Sequence, residues 1–330
     1  MDLKPKTPTD MIASTPSLTI ALHHPHAEEY ARLIGQRFPQ VRTIVAPDVR
    51  RLEACISEVD AILAFQFPAA QFDMANKLRW FQSTGAGVDS FFPVCDRAAH
   101  VTVTNARGIH GELIADYVMA GATMLHWDFR RFLREQAEQK WNFRAVTPLA
   151  EMTLGVIGLG SIGATIARRA KSAGMRVVGS KRNVAEVIEG VDQLFGPNEL
   201  DKLLPVCDFV VLAVPSTSDT VGLIGATELS RMRPSAFLIN IARGTVIKEA
   251  ELIDALQSAK IAGALLDVFE REPLPQESPL WTLPNVIVTP HTSGTPTDYT
   301  KRFFDIFAEN IERYLAGQPL KNVVDVRRGY

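Results

Sequence analysis

The chain has 330 residues, long enough for two domains that each bury a core of their own. Its 35 Lys and Arg against 37 Asp and Glu leave a formal net charge of −2, so no overall basic field recruits nucleic acid or an anionic membrane surface. The aliphatic runs are of strand length and broken by charges, which argues against a membrane span.

Residues 1–17, rich in Pro, Thr and Lys, lack the apolar core of a secretory signal and read as a loose tail. Cys55, Cys95 and Cys207 are widely spaced in apolar settings, as expected of buried free thiols in a reducing cytoplasm. His23, His24 and His26 share one loop without acidic or thiol partners, so a solvated loop is expected there and no metal site.

From the N-terminus, strand-like and helix-like segments alternate. Strands are expected over 18–23, 41–45 and 60–65, with an amphipathic helix over 27–38. A helix near 69–76 precedes a strand at Trp80–Ser83 that runs into Gly85-Ala86-Gly87, and 101–104 reads as a further strand. Such alternation predicts a parallel sheet covered on both faces. A long helical pattern then begins near Gly111 and continues to Lys140, carrying Tyr117, Met119, Leu125, Trp127, Phe129 and Phe132. A helix of that length bridges domains, packs on a partner subunit, or lines the core of one domain.

The most informative stretch follows. An apolar run ends in Gly158-Leu159-Gly160-Ser161-Ile162-Gly163, a helical Ala/Arg-rich segment succeeds it, and a second apolar run comes next. This strand, tight turn, helix and strand form the setting of a dinucleotide fingerprint. Gly158 permits the turn, Gly160 lets a pyrophosphate approach the backbone, and Gly163 lets the helix pack close to the strand, whose neighbouring helix N-terminus offers N–H groups to phosphate. At the end of the second strand an NAD site usually carries Asp or Glu. Here the residues are Ser180-Lys181-Arg182, and two cations with a hydroxyl suit a 2′-phosphate. NADP(H) is therefore the expected cofactor, with NAD(H) as the alternative.

Further strands are expected at 175–179, 209–214, 237–241, 263–268 and 286–289, and 296–315 reads as a helix returning to the first domain. Pro215, Arg243, Asp267 and His291 fall at or just past the C-terminal ends of these strands, the edge where open parallel sheets bind ligands. Reduction of a carbonyl needs a proton donor and an anchor for the substrate. His291 follows a strand of the cofactor sheet and suits the first task. Arg243 can hold a carboxylate bidentately. Glu272, in the loop between two strands, can reach the histidine and fix its tautomer. His110 precedes a helix and reads as a turn or hinge residue, and His126 reads as structural.

With these residues in place, the chain resembles the D-isomer-specific 2-hydroxyacid dehydrogenase family. The matching segments, in order, are STGAGVDSF, TNARGIHGELIADYVM, LGVIGLGSIG, VPSTSDTVGLI, INIARGTVI, LLDVFEREPLP and VIVTPHTSG, spanning roughly residues 80–294. The resemblance implies that Arg243, Glu272 and His291 are the catalytic groups. It implies that Gly85, Ala86 and Gly87 bind the substrate carboxylate through backbone N–H groups, and that Asp267 holds the nicotinamide carboxamide. It further implies cofactor contacts at Gly158, Gly160, Ser161, Ile162, Gly163, Ser180, Lys181, Arg182, Val214, Pro215, Thr220, Ile241, Ala242, His291 and Ser293, with Thr217 in the segment that lines the cofactor. Lys181 stands where NAD-dependent members carry an acid, and Asp116 stands where Glu is usual.

The implied fold is α/β: a Rossmann dinucleotide-binding domain over 106–295, inserted into a smaller flavodoxin-like substrate domain made of 18–105 and 296–330. The implied assembly is a homodimer joined through the cofactor domains. The implied activity is reversible NAD(P)H-dependent reduction of a 2-oxoacid, such as glyoxylate, hydroxypyruvate or a larger ketoacid, to the (R)-2-hydroxyacid. Phe65, Phe67, Trp127 and Trp141 are candidates to line the substrate side chain, with core packing as the alternative for each. Two other readings keep the same three groups: a phosphite-type dehydrogenase and a non-catalytic nucleotide-sensing corepressor.

Overall fold

The computed structural model describes residues 18–326 and 328, so the tail expected at 1–17 lies outside the described residues. The chain divides into two compact units. Among the described residues, one combines 18–106 with Thr300–Val326, and the other runs from Arg107 to Tyr299.

The first unit is built on five parallel strands: β1 (Thr19–His23), β2 (Arg42–Val45), β3 (Ala61–Ala64), β4 (Trp80–Ser83) and β5 (Thr102–Thr104). Their order is β2-β1-β3-β4-β5, the flavodoxin-like arrangement. Helix α1 (Ala27–Arg37) and the short α2 (Val49–Glu53) belong to this unit. The segment expected as a helix near 69–76 forms instead a 3-10 turn, Ala69–Met74, whose Phe72 joins the core with Phe67, Phe81 and Phe91. The C-terminal helix, Tyr299–Leu315, returns to this sheet, where Phe307 packs on Trp80 and buried Asn310 bonds to the Gln82 side chain and the Lys321 carbonyl.

In the second unit the long helix expected from Gly111 to Lys140 is two helices, α3 (Gly111–Trp127) and α4 (Phe129–Ala137). Asp128 breaks it. Its φ of 55° is left-handed, its N–H bonds to the Leu125 carbonyl, and its side chain accepts from Arg131 N as the cap of α4. The sequence shows no Gly or Pro there; Asp does both tasks because it tolerates the left-handed region and is a favoured N-cap. Of the alternatives for this helix, α3 lines the core of its unit. Ile114, Ala115, Val118, Ala122 and Leu125 form its buried stripe, and a Cβ at Gly121 would collide with the Leu265 side chain.

Seven parallel strands follow: β6 (Thr153–Ile157), β7 (Arg176–Ser180), β8 (Gln193–Phe195), β9 (Phe209–Leu212), β10 (Phe237–Asn240), β11 (Gly263–Leu266) and β12 (Val286–Val288). Between them lie α5 (Ser161–Ser172), α6 (Leu200–Leu203), α7 (Ala226–Arg231) and α8 (Glu249–Gln257). The sheet order β12-β11-β10-β9-β6-β7-β8 is that of a Rossmann fold with one added strand. One core fills the face covered by α3 and α5, the other the face covered by α6 to α8. With both faces covered, β6, β9 and β11 are buried along their whole length, as their apolar sequences, broken only by Thr153 at the start of β6, require. The edge strand β8 was not legible because Gln-Leu-Phe is too short to display a period.

Candidate active site

The order of this sheet reverses between β6 and β9, and β6 runs directly into the glycine fingerprint. Gly158 has φ +99°, which a side-chain-bearing residue rarely adopts. A Cβ at Gly163 would collide with the Gly158 carbonyl, so this glycine sets how close α5 lies to the turn. A Cβ at Gly160, by contrast, would meet nothing within 4 Å. Backbone facing open space at the N-terminus of a twelve-residue helix is the cradle a pyrophosphate needs. The residues present therefore fit a dinucleotide.

At the end of β7, Ser180 is buried and its hydroxyl reaches the Gly196 carbonyl at 3.4 Å. Lys181 Nζ pairs with Glu186 at 2.7 Å and Arg182 with Asp219 at 3.6 Å. Both partners are exposed carboxylates, so a phosphate competes for cations held by weak surface pairs. After β9, Thr220 turns its hydroxyl inward: it donates to the Pro215 carbonyl at 2.6 Å and accepts from Thr217 N at 2.8 Å, which shapes the loop behind Val214.

Three adjacent strands, β10, β11 and β12, deliver Arg243, Glu272 and His291 at the same sheet edge. Neighbouring strands are about 4.8 Å apart, so the strands that lead to Arg243 and His291 lie about 10 Å apart, and Arg243 Nη1 donates to the Ala242 carbonyl at 2.8 Å. Glu272 ties its own loop to the histidine. Its Oε1 accepts from Phe269 N at 3.1 Å, and its Oε2 lies 2.7 Å from His291 Nδ1. With Nδ1 held by a carboxylate, Nε2 is the nitrogen left to face a substrate.

His291 itself sits in a left-handed conformation, φ +49°, which costs a residue with a Cβ about 1–2 kcal/mol. Asp267 offsets that cost. Fully buried at the end of β11, its backbone carbonyl accepts from His291 N at 2.8 Å. Its Oδ1 accepts from the Thr289 hydroxyl at 2.6 Å and from Thr292 N at 3.0 Å, and its Oδ2 from Ser293 N at 2.9 Å. Tyr117 of α3 extends the chain, its phenol 2.5 Å from the Thr289 hydroxyl. Burial, reinforced by the charge of Asp267 and opposed by the Thr289 hydrogen bond, pushes the Tyr117 phenol well above its ordinary range, so it stays protonated.

Arg243 is held by a device the sequence reading missed. Buried Asn240 accepts from Ala242 N at 3.0 Å and donates to the Arg243 carbonyl at 3.0 Å. A Cβ on Gly244 would collide with the Phe269 backbone, so this glycine lets the Arg243 turn press against the loop that carries Glu272. An amide at the end of an apolar strand was the available signal for Asn240.

In the first unit, the loop after β4 is equally organised. Asn105 Nδ2 donates to the Ala86 carbonyl at 2.7 Å, and Ser83 Oγ to the Gly87 carbonyl at 3.1 Å. Gly85 N donates to Ser83 Oγ at 3.2 Å, whereas the Ala86 and Gly87 amides have no acceptor among the described residues. Consecutive unspent N–H groups form an anion-binding concavity. Phe65 lies over it: its ring edge is 3.0 Å from where a Cβ on Gly85 would stand, and half of the residue is exposed. Phe67 is core instead. His126 is buried, its Nε2 2.6 Å from the Thr147 carbonyl. No group of metal-ligating side chains forms among the described residues.

A Rossmann unit with a charged triplet at the carboxyl edge defines a nucleotide-dependent dehydrogenase class. Comparison with known proteins narrows it. Residues 119–293 match the NAD-binding domain of D-isomer specific 2-hydroxyacid dehydrogenases, and the chain belongs to that family. A glyoxylate reductase of Korarchaeum cryptofilum is 34% identical over 300 residues, 87% of each chain. Among solved structures, a NADPH-dependent glyoxylate/hydroxypyruvate reductase of Sinorhizobium meliloti, in complex with NADP and sulfate, superposes with TM-score 0.86 at 29% identity, over 95% of this chain and 100% of that one. A D-isomer specific 2-hydroxyacid dehydrogenase of Xanthobacter autotrophicus in complex with NADPH and MES gives TM-score 0.85 at 33% identity, over 96% and 100%. The chain is thus an oxidoreductase of that family. Among the described residues no helix is long and apolar enough to cross a membrane.

Proposed function

We propose that this protein uses NADPH to reduce a small 2-oxoacid, of the glyoxylate or hydroxypyruvate type, to the (R)-2-hydroxyacid. The observation that carries this reading is the His291–Glu272 pair, held in a left-handed loop on the strand edge that also delivers Arg243. The relatives named for glyoxylate and for NADP(H), and the cationic Lys181-Arg182 turn, support the substrate class and the cofactor.

A bound nicotinamide supplies the hydride. His291 Nε2, protonated, gives its proton to the carbonyl oxygen, and Glu272 steadies the imidazolium through Nδ1. Arg243 takes the carboxylate and polarises the carbonyl, and the Ala86 and Gly87 amides take carboxylate oxygen. Gly158 through Gly163 hold the pyrophosphate, Lys181 and Arg182 the 2′-phosphate, and Asp267 keeps the loop at the nicotinamide end in place. The substrate domain is the first unit and the cofactor domain the second.

The working form in this reading is a cytoplasmic homodimer. Trp141 and Phe143 are 99% and 89% exposed, yet Asn142 between them is anchored to Glu135 at 3.1 Å, which fixes the segment with its aromatic rings outward. Trp127, Phe129 and Leu133 are also exposed on α3 and α4, beside a cavity of about 240 Å³ whose lining mixes Met124, Leu125, Phe237 and Ile287 with Asp128, Arg130, Arg134 and Arg144. A second copy is the occupant proposed.

Loss of NADPH absorbance against a panel of 2-oxoacids tests the reading. Glyoxylate or hydroxypyruvate turnover is expected, and His291→Ala should lower kcat by roughly 10²–10⁴-fold. Tight NADPH binding with no turnover on any 2-oxoacid would overturn it in favour of a nucleotide sensor.

A further inference from the structure

His110 occupies the N-cap of α3, a position that favours Ser, Thr, Asp or Asn, yet its side chain makes no capping bond. It is 7% exposed, and its Nδ1 is buried without a partner among the described residues. Both features are unfavourable locally. A residue that breaks two local rules is best explained by what else it touches.

Its ring makes two contacts that bear on the active site. Nε2 lies 3.1 Å from the Tyr299 hydroxyl, with the rings 5.7 Å apart. Cδ2 comes within 3.4 Å of where a Cβ on Gly294 would stand, beside Ile114 Cδ1 at the same distance. Gly294 directly follows Ser293, whose amide is bound by Asp267, so it is the exit of the loop that presents His291. Asp267 fixes the front of that loop, and His110 with Ile114 abuts its back. His110 and Tyr299 also lie within a few residues of the two points where the chain joins this unit, at Arg107 and Tyr299.

We infer that His110 is a positioning residue for the reaction: with Tyr299 it braces the rear of the His291 loop at Gly294. The inference rests on the proposed reading of that strand edge as the reductase site. Burial, and then the charge of Arg243, lower the His110 pKa to about 4. The ring is therefore neutral at physiological pH, exchanges one hydrogen bond with a phenol that suits either tautomer, and does not compete with His291 as a proton donor.

The test uses the full chain and four variants: His110→Ala, His110→Gln, which keeps a polar atom near the Nε2 position, the conservative Tyr299→Phe, and the double variant that combines His110→Ala with Tyr299→Phe. For 2-oxoacid reduction, His110→Ala and Tyr299→Phe should each lower kcat by at least about tenfold while the NADPH Kd stays within about twofold. The double variant should be no worse than the poorer single one, and His110→Gln should recover most of the loss. Independently of turnover, hydrogen exchange over residues 286–299 should quicken by about fivefold or more in the first and third variants, with β6 and α5 unchanged.

Additive losses, or exchange over 286–299 unchanged in Tyr299→Phe, would overturn the inference. A wild-type protein that reduces no 2-oxoacid would sink the reductase reading instead. The exchange measurement would still decide whether His110 and Tyr299 hold the loop.

Discussion

Replacing Asp267 by Asn removes one charge and one acceptor at the point where the His291 loop is held. The native carboxylate is fully buried and accepts three hydrogen bonds, from Thr289 Oγ1, Thr292 N and Ser293 N. Hydrogen bonds to a charged group contribute about 1.5–3 kcal/mol each. Asparagine can keep its oxygen on the Thr289 and Thr292 side, in weaker neutral bonds, but then sets an NH2 against the Ser293 N–H. One charge-assisted bond is lost outright and two donors face each other, so we expect about 2–4 kcal/mol of destabilisation in urea unfolding. Activity should suffer more than folding. The left-handed His291 loses its counterweight, and a misplacement of about 1 Å at a reacting group costs about 10²-fold in rate. Cofactor fluorescence should still report NADPH binding, since the fingerprint is on β6 and α5. An Asp267→Asn protein with native kcat and an unchanged urea midpoint would refute the argument that this carboxylate holds the loop.

The second and third fingerprint glycines separate ligand approach from packing. Gly163→Ala must drive a methyl into the Gly158 carbonyl and should cost about 1–3 kcal/mol of stability along with cofactor affinity. Gly160→Ala meets no protein atom within 4 Å, so it should weaken NADPH binding alone; equal effects on stability would contradict this. Converting Lys181 and Arg182 to Ala should lower kcat/KM with NADPH by about tenfold or more and leave NADH little changed; kinetics with both cofactors decide it. Trp141→Ala with Phe143→Ala should shift the mass seen by light scattering from dimer to monomer, and a dimer of unchanged affinity would place the interface elsewhere.

His110 also predicts a pH dependence. Its pKa falls from the ordinary 6.5 to about 4 on folding, through burial and then Arg243. Below pH about 6.5 the unfolded chain takes up a proton that the folded chain refuses, so this stability is complete above that pH and is lost as pH falls toward 4. At about 1.4 kcal/mol per pKa unit the full loss is about 3 kcal/mol. The urea midpoint of His110→Gln should therefore decline less steeply between neutral pH and pH about 4 than that of the wild type, and parallel slopes would refute the assignment.

Much of this protein follows from local sequence. Unbroken apolar runs such as 209–212 dictate strands buried on both faces, and Gly158 and Gly163 are written for a turn and a close helix that no other residue permits. The alternation of strand and helix, with polar residues at strand ends, is enough to put Arg243, Asp267 and His291 at one sheet edge. Contacts between residues far apart in the chain were not legible. Nothing local to Asp267 announces that it will bind Thr289, Thr292 and Ser293, over twenty residues away, because hydrogen-bond partners are chosen by sheet order and not by spacing. The break at Asp128 was hidden for a related reason: helical periodicity continues across it, and one left-handed residue redirects the chain without disturbing the pattern. Periodicity and glycine placement act through the backbone and so survive in one dimension. The partners of Asn240, Asp267 and His110 depend on which strands become neighbours, and only the folded chain decides that.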